Sequence, residues 1–255
     1  MTTGRLLGAM LLLAMTVPAH AVDNATFGCE SKSSAAAGKW GSTRGGCLSK
    51  CRAAELKGDT SRICQPGAGF PDPTTAACIA PDDAKYLAAA LKACPAGSFP
   101  TCGAYGASGD PSTYVADQIA SLSSLIDGGV VPFIICDTDP ALGKCQFGTS
   151  KNLAKLSGSI LKCLTSCYAA AQLKGDTSRQ CTPSTGPSPY DALDAVTKAC
   201  VQGGIDKTKA TIQKGCPVFP ACGLYLLGID GVLSIVTANV AGSYSSPATN
   251  PFCTP

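Results

Sequence analysis

Histidine is almost missing from this chain. The single copy, His20, falls within the first 21 residues, so nothing beyond them can supply an imidazole. Ser-His-Asp and Cys-His catalysis are thereby excluded from the rest of the chain. There is no Cys-x-x-Cys-His for covalent haem, and no glycine-rich phosphate loop of the P-loop or dinucleotide kind. No basic run occurs anywhere. Once Arg5 is set aside with the first 21 residues, 19 Lys and Arg face 17 Asp and Glu, a net charge of +2. So small a balance gives no electrostatic case for nucleic acid or for an anionic membrane.

Cysteine, by contrast, is abundant. The sixteen fall into two sets of eight in matching order: Cys29, Cys47, Cys51, Cys64, Cys78, Cys94, Cys102 and Cys136, then Cys145, Cys163, Cys167, Cys181, Cys200, Cys216, Cys222 and Cys253. The peptide Leu56-Lys57-Gly58-Asp59-Thr60-Ser61-Arg62 recurs unchanged as Leu173-Lys174-Gly175-Asp176-Thr177-Ser178-Arg179. Matching order and a repeated peptide read as a tandem duplication. The expected organisation is a leader over 1–21, a first cysteine-rich helical repeat over 22–140 and a second over 141–255. Each repeat should hold about four helices, making the chain mostly α.

The leader reading rests on Arg5, the apolar stretch from Leu6 to Val17 and the small residues Pro18-Ala19-His20-Ala21. That is the pattern of a secretory signal peptide cleaved after Ala21, which predicts a secreted or periplasmic protein. In an oxidising compartment an even cysteine count is a disulfide framework, and eight cysteines allow 105 connectivities. The two Cys-x3-Cys pairs raise zinc as an alternative. Zinc sites favour Cys-x2-Cys with His or Cys partners, so neither metal nor cofactor is expected.

Helical patterning is clearest in the second half. Leu153, Leu156, Ile160, Cys163, Cys167 and Ala171 alternate three- and four-residue steps, with Thr149-Ser150 as the N-cap. Gly41, Gly45 and Gly46 predict a shorter, frayed counterpart in the first half. Asp72-Pro73 and Ser188-Pro189 both read as helix starts. In the first half one helix should reach Cys78 and another begin near Pro81-Asp82-Asp83. The adjacent acids Asp82 and Asp83 cannot face one pocket from consecutive helical positions. The Phe99–Tyr105 and Phe219–Tyr225 segments, each with Pro and Gly around a cysteine, predict rigid corners whose aromatics pack on sulfur.

Residues 223–242 are apolar almost throughout, with Asp230 the only charge. A membrane span is one reading and a buried core helix the favoured one. The other last-position helix, through Val115, Ile119, Leu122 and Ile126, is amphipathic. These two helices are expected to pack the halves together, about a pseudo-twofold axis. Asp137-Thr138-Asp139-Pro140 resembles half of a calcium loop but lacks the downstream Glu, and reads as a polar linker.

Candidate site residues are the duplicated Lys57, Asp59 and Arg62, with Lys174, Asp176 and Arg179. They form either a surface ligand site or a helix stop with an Asx turn, in which glycine enters the left-handed region at C′. No catalytic residue is assigned. The functional expectation is an exported, disulfide-rich, non-catalytic protein in a structural or binding role, its partner undefined. The alternative is a secreted hydrolase using paired carboxylates that assemble without a linear trace.

The cysteine–helix–cysteine spacing, the segment Lys85-Tyr86-Leu87-Ala88-Ala89-Ala90-Leu91-Lys92-Ala93-Cys94 and the high Ala and Gly content resemble a known group. They are similar to secreted, cysteine-rich helical tandem-repeat proteins of uncharacterised function from high-GC bacteria. The resemblance implies export and helicity, and carries no functional residues across.

Overall fold

A computed structural model describes residues 22–64, 71–95, 97–125, 140–245 and 250–252. The expected leader, Cys136, Cys253, Ile126 and the Asp137–Asp139 stretch lie outside these residues. The protein is mostly helical, at 74%, with seven α-helices and no strand among the described residues.

Helix α1 spans Asn24–Leu56, and its N-cap Asp23 accepts from the amides of Ala25 and Thr26. It runs unbroken through Gly41, Gly45 and Gly46, contrary to the expected fraying. Bridges at Cys29, Cys47 and Cys51 and packing against two other helices outweigh the low propensity of glycine. Helix α2 covers Pro73–Ala93, capped by Asp72 with Pro73 at its first position, as the sequence predicts. It is one helix, with Pro81 inside it, where two were expected. Pro81 forfeits one backbone bond, but Cys78 on one side and Cys94 on the other tie the helix to α1.

Two shorter helices follow, α3 at Gly103–Ser108 and α4 at Pro111–Leu125. Helix α5 then runs over Pro140–Tyr168 and passes into a π-turn at Ala169–Leu173. Thr149 and Ser150 lie in its middle, buried, so they are no N-cap. Helix α6 covers Ala195–Gly215 and is capped by Asp194 rather than begun at Ser188-Pro189. A 3-10 turn at Gly223–Leu227 leads into α7, Gly228–Ser245.

The bridges are nested. Cys29–Cys94, Cys47–Cys78 and Cys51–Cys64 join α1 to α2 and the loop between them. Cys145–Cys216, Cys163–Cys200 and Cys167–Cys181 do the same for α5 and α6. Each half pairs its first cysteine with its sixth, second with fifth and third with fourth. That order requires two antiparallel helices zipped along their length. Cys102 and Cys222 are also disulfide-bonded, and no described cysteine is free.

Among the described residues the halves pack mainly through α1 and α5, where the last helices were expected to join them. Three contacts fix the geometry. A Cβ placed on Gly143 would lie 3.8 Å from Leu56 Cδ1, the hydroxyls of Ser49 and Ser150 are 3.1 Å apart, and a Cβ on Gly38 would lie 3.2 Å from Leu161 Cδ2. From 56 to 49 to 38 the α1 positions fall by the same steps as the α5 positions rise. The helices are therefore antiparallel. One core joins Phe27, Leu48 and Ile79 to Leu153, Leu156, Ile160, Leu164, Val201 and Ile212. A smaller one gathers Trp40, Tyr86, Tyr105, Tyr114 and Val115.

Helix α7 is long and apolar enough to cross a membrane by composition, and where a buried core helix was expected it is buried along one face. Its buried stripe is Val232, Leu233, Val236, Thr237 and Ala241, packed on α5 and α6, while Ser234, Ala238, Asn239 and Gly242 face outward. Small and weakly polar outward residues let the helix keep high mean hydropathy while covering the core from one side.

The corner at Cys102 makes a sharp demand. A Cβ at Gly106 would sit 2.5 Å from the carbonyl oxygen of Thr101, which is backbone and cannot swing away. Gly106→Ala should cost about 1–3 kcal/mol, read as a lowered thermal midpoint. Unchanged stability would mean that the corner has room to yield.

Candidate functional site

The duplicated heptapeptide lies where each long helix ends. Lys57 is the C-cap of α1 and Gly58 follows at φ 89°; Gly175 takes φ 66° after Lys174. Side chains are strained in that region, so glycine is the residue that turns the chain here. The Asp59 carboxylate then accepts from the Ser61 amide at 3.1 Å, and Asp176 accepts from Ser178 at 3.1 Å. Each is an Asx turn, and these hydrogen bonds, the Ser hydroxyl foremost, hold both carboxyls below the ordinary 3.8.

The arginines reach further than the sequence reading supposed. Arg62 Nε donates to Asp59 at 3.0 Å and its Nη1 to Asp72 at 3.2 Å. Arg179 Nη1 lies 3.3 Å from Asp194, and its Nη2 donates to Thr197 Oγ1 at 3.1 Å. Asp72 and Asp194 are the N-caps of α2 and α6. The heptapeptide thus fastens the end of one helix to the start of the next, beside the innermost bridge of each half.

Asp72 is nearly sealed, at 1% exposure. It accepts from the amides of Thr74 at 3.0 Å and Thr75 at 3.1 Å, and from Thr75 Oγ1 at 2.7 Å. Burial alone would raise its pKa. The Thr75 and Ile63 bonds and the Arg62 charge outweigh burial and bring it down to about 2. Asp194 is lowered by the same balance, with burial opposed by Thr197 and Arg179.

Lys57 and Lys174 are exposed and stand apart from these contacts. The structure therefore brings together Asp59 with Arg62, adds Asp72 and Asp194, and leaves the lysines outside. Asp72 was legible as a cap but not as the partner of Arg62, because nothing in a linear reading joins positions ten apart across a loop. Asp194 was missed, since Ser188-Pro189 offered a stronger-looking helix start.

Sulfur and carboxylate atoms of Cys51, Cys64 and Asp72 lie within 4.8 Å of one another, as do those of Cys167, Cys181 and Asp194. Each sulfur pair is joined in a bridge, and each carboxylate already faces a guanidinium. The chemistry of both clusters is that of a clamp, with a fixed positive charge where a cation would have to sit.

Other singled-out residues are engaged structurally. Asp82 pairs with Lys85 at 3.0 Å, and Trp40 Nε1 donates to Asp83 at 2.5 Å. At the two corners each Phe meets its Tyr edge-on, Phe99 with Tyr105 at 5.5 Å and Phe219 with Tyr225 at 5.9 Å, so the aromatics pack on each other. Burial pushes the Tyr225 hydroxyl up to about 12 and that of Tyr105 well above its usual value. Tyr105 shares a hydrogen bond of 2.6 Å with Ser33, and the neighbouring Glu30 is fully buried. A composition-level reading places no acid in a core.

These features define a disulfide-clamped, all-helical protein whose duplicated motif braces helix ends. Comparison of the chain with protein-family models, curated proteins and solved structures gives no match.

Proposed function

We propose that the chain is an exported, non-catalytic binding or structural protein made of two tandem helical repeats, each locked by nested bridges. The observation that carries this reading is the shared first-to-sixth, second-to-fifth, third-to-fourth pairing in the two halves. Many disulfides are consistent with an oxidising compartment. The carboxylates that invite a hydrolytic reading are drawn into structural pairs: Asp72 with Arg62, Asp82 with Lys85, Asp191 with Lys198, Asp194 with Arg179 and Asp230 with Lys209. The antiparallel seating of α1 on α5 is the geometry that two repeats related by an approximate twofold axis would take.

Expression with the native leader in a bacterial host tests the reading. The product should be recovered outside the cytoplasm, begin at Val22, contain no titratable thiol and show no turnover on a polysaccharide panel. Recovery as a reduced cytoplasmic protein would overturn export. Polysaccharide cleavage abolished by a single Asp→Asn change would overturn the non-catalytic reading.

A further inference from the structure

Charge is not spread evenly over this molecule. Helices α1 and α5 together carry nine Lys and Arg but only two acids, Glu30 and Glu55, a balance of +7. The chain beyond residue 21 totals only +2, so the basic charge is concentrated on the layer where the two halves meet. Between these helices runs a groove of about 450 Å³, within the range of small-molecule sites. On α1 its lining extends from Ser42 to Ala53, about 16 Å at ~1.5 Å per residue. The lining is built of small residues, Gly45, Gly46, Ala53 and Ala154 with Ser42, Ser49 and Ser150, and includes Phe147. Lys50, Lys151 and Lys155 stand on the rims, exposed. None of the three forms an ion pair with a described residue, and no carboxylate lines the groove.

Comparison of the two halves shows that this space is particular to one side. Cys29, Cys47 and Cys51 precede Cys145, Cys163 and Cys167 by 116 positions each, so α1 and α5 align without a gap. In that alignment Gly45 corresponds to Leu161, and Ala154 to Gly38. Leu161 is buried against Gly38, where an added Cβ would lie only 3.2 Å from Leu161 Cδ2. At Gly45 an added Cβ would meet nothing within 4 Å. One side of the helix pair is thus plugged by leucine, while the corresponding spot on the other side is open. Two of the three lysines differ too, since Lys50 corresponds to Ser166 and Lys151 to Ala35, while Lys155 corresponds to Lys39. Two mid-helix glycines that relieve no clash each cost about 1 kcal/mol of helix propensity. Their effect here is to keep the groove clear.

We propose that the α1–α5 groove binds a single-chain anionic amphiphile, its acyl chain against the small residues of the lining and its anionic head met by Lys50, Lys151 and Lys155, which reach in from the exposed edges. The proposal uses the correspondence of the two halves, which belongs to the tandem-repeat reading above. A compact inorganic anion would leave the small residues of the lining unused, and an uncharged chain would leave three cations unanswered. An elongated ligand with one charged end satisfies both.

The test uses the oxidised full chain, with labelled palmitate in equilibrium dialysis and its uncharged monoglyceride as comparison. One palmitate should bind per chain, at least tenfold tighter than the monoglyceride. Gly45→Leu copies the plug of the other side and should lower palmitate affinity at least tenfold with helicity and bridges intact. Lys50→Glu with Lys151→Glu, both exposed, should do the same without touching the small residues of the lining. Absent palmitate binding, equal affinity for the monoglyceride, or full binding by either variant would overturn the proposal. Thiol titration of the same samples separates this failure from a failure of the disulfide-locked reading.

Discussion

Replacing Cys29 and Cys94 together by alanine should destabilise the protein by about 3–4 kcal/mol, the largest effect expected of a bridge in the first half. This outermost bridge of the first half spans 65 residues, against 31 and 13 for the two inside it. In the chain-entropy picture a longer closed loop restrains the unfolded chain more, and the dependence is logarithmic. Nesting tempers the gain: with the inner bridges intact, much of the 65-residue loop is already closed. Cys29 is also fully buried in the smaller core, so alanine leaves a void there. Urea unfolding of the oxidised double variant reads the loss directly. The equivalent change at Cys145 and Cys216, spanning 71 residues, should match it closely. A loss under about 1 kcal/mol in both would show that packing alone holds the hairpins.

Asp72→Ala should be nearly as damaging, at about 3 kcal/mol. The substitution removes the α2 cap, worth about 1–2 kcal/mol. It also takes from Arg62 one of its two carboxylate partners, inside the fold, a further cost of the same order. The pH dependence follows from the direction of the shift. The folded-state pKa of Asp72 is lowered to about 2 from an ordinary 3.8. Its ionised form therefore contributes stability that is fully present above about pH 4 and fades as pH falls towards 2. The stability gap between wild type and Asp72→Ala should accordingly be widest near neutrality and shrink below pH 4. A gap that stays constant down to pH 2 would mean that the carboxylate charge contributes nothing. Asp194→Ala should follow the same course with a smaller amplitude, because Asp194 is more exposed.

Much of this was legible in the sequence. The Leu153–Leu156–Ile160 stripe sits buried on α5 as its spacing required, and Asp72-Pro73 opens α2. What failed did so for tertiary reasons. Glycine spacing in α1 promised fraying, but three bridges and two packed neighbours hold that helix over 33 residues. Pro81 promised a break and is spanned because the helix is tied on either side. Ser188-Pro189 had the local chemistry of a helix start, yet Arg179 and the Gln180 amide select Asp194 instead. The last helices looked apolar enough to join the halves, whereas among the described residues the main junction is made by α1 and α5. No periodicity reports which of two apolar faces finds the other. The charge concentration on that pair was hidden for the same reason: lysines spread along the chain gather on one layer only after folding.

The most direct measurement is a disulfide map of the unreduced protein by mass spectrometry of proteolytic peptides. Six linked pairs are expected: Cys29–Cys94, Cys47–Cys78, Cys51–Cys64, Cys145–Cys216, Cys163–Cys200 and Cys167–Cys181. Free thiols at these positions, or a peptide joining any of the first six sulfurs to any of the second six, would contradict two separately zipped hairpins.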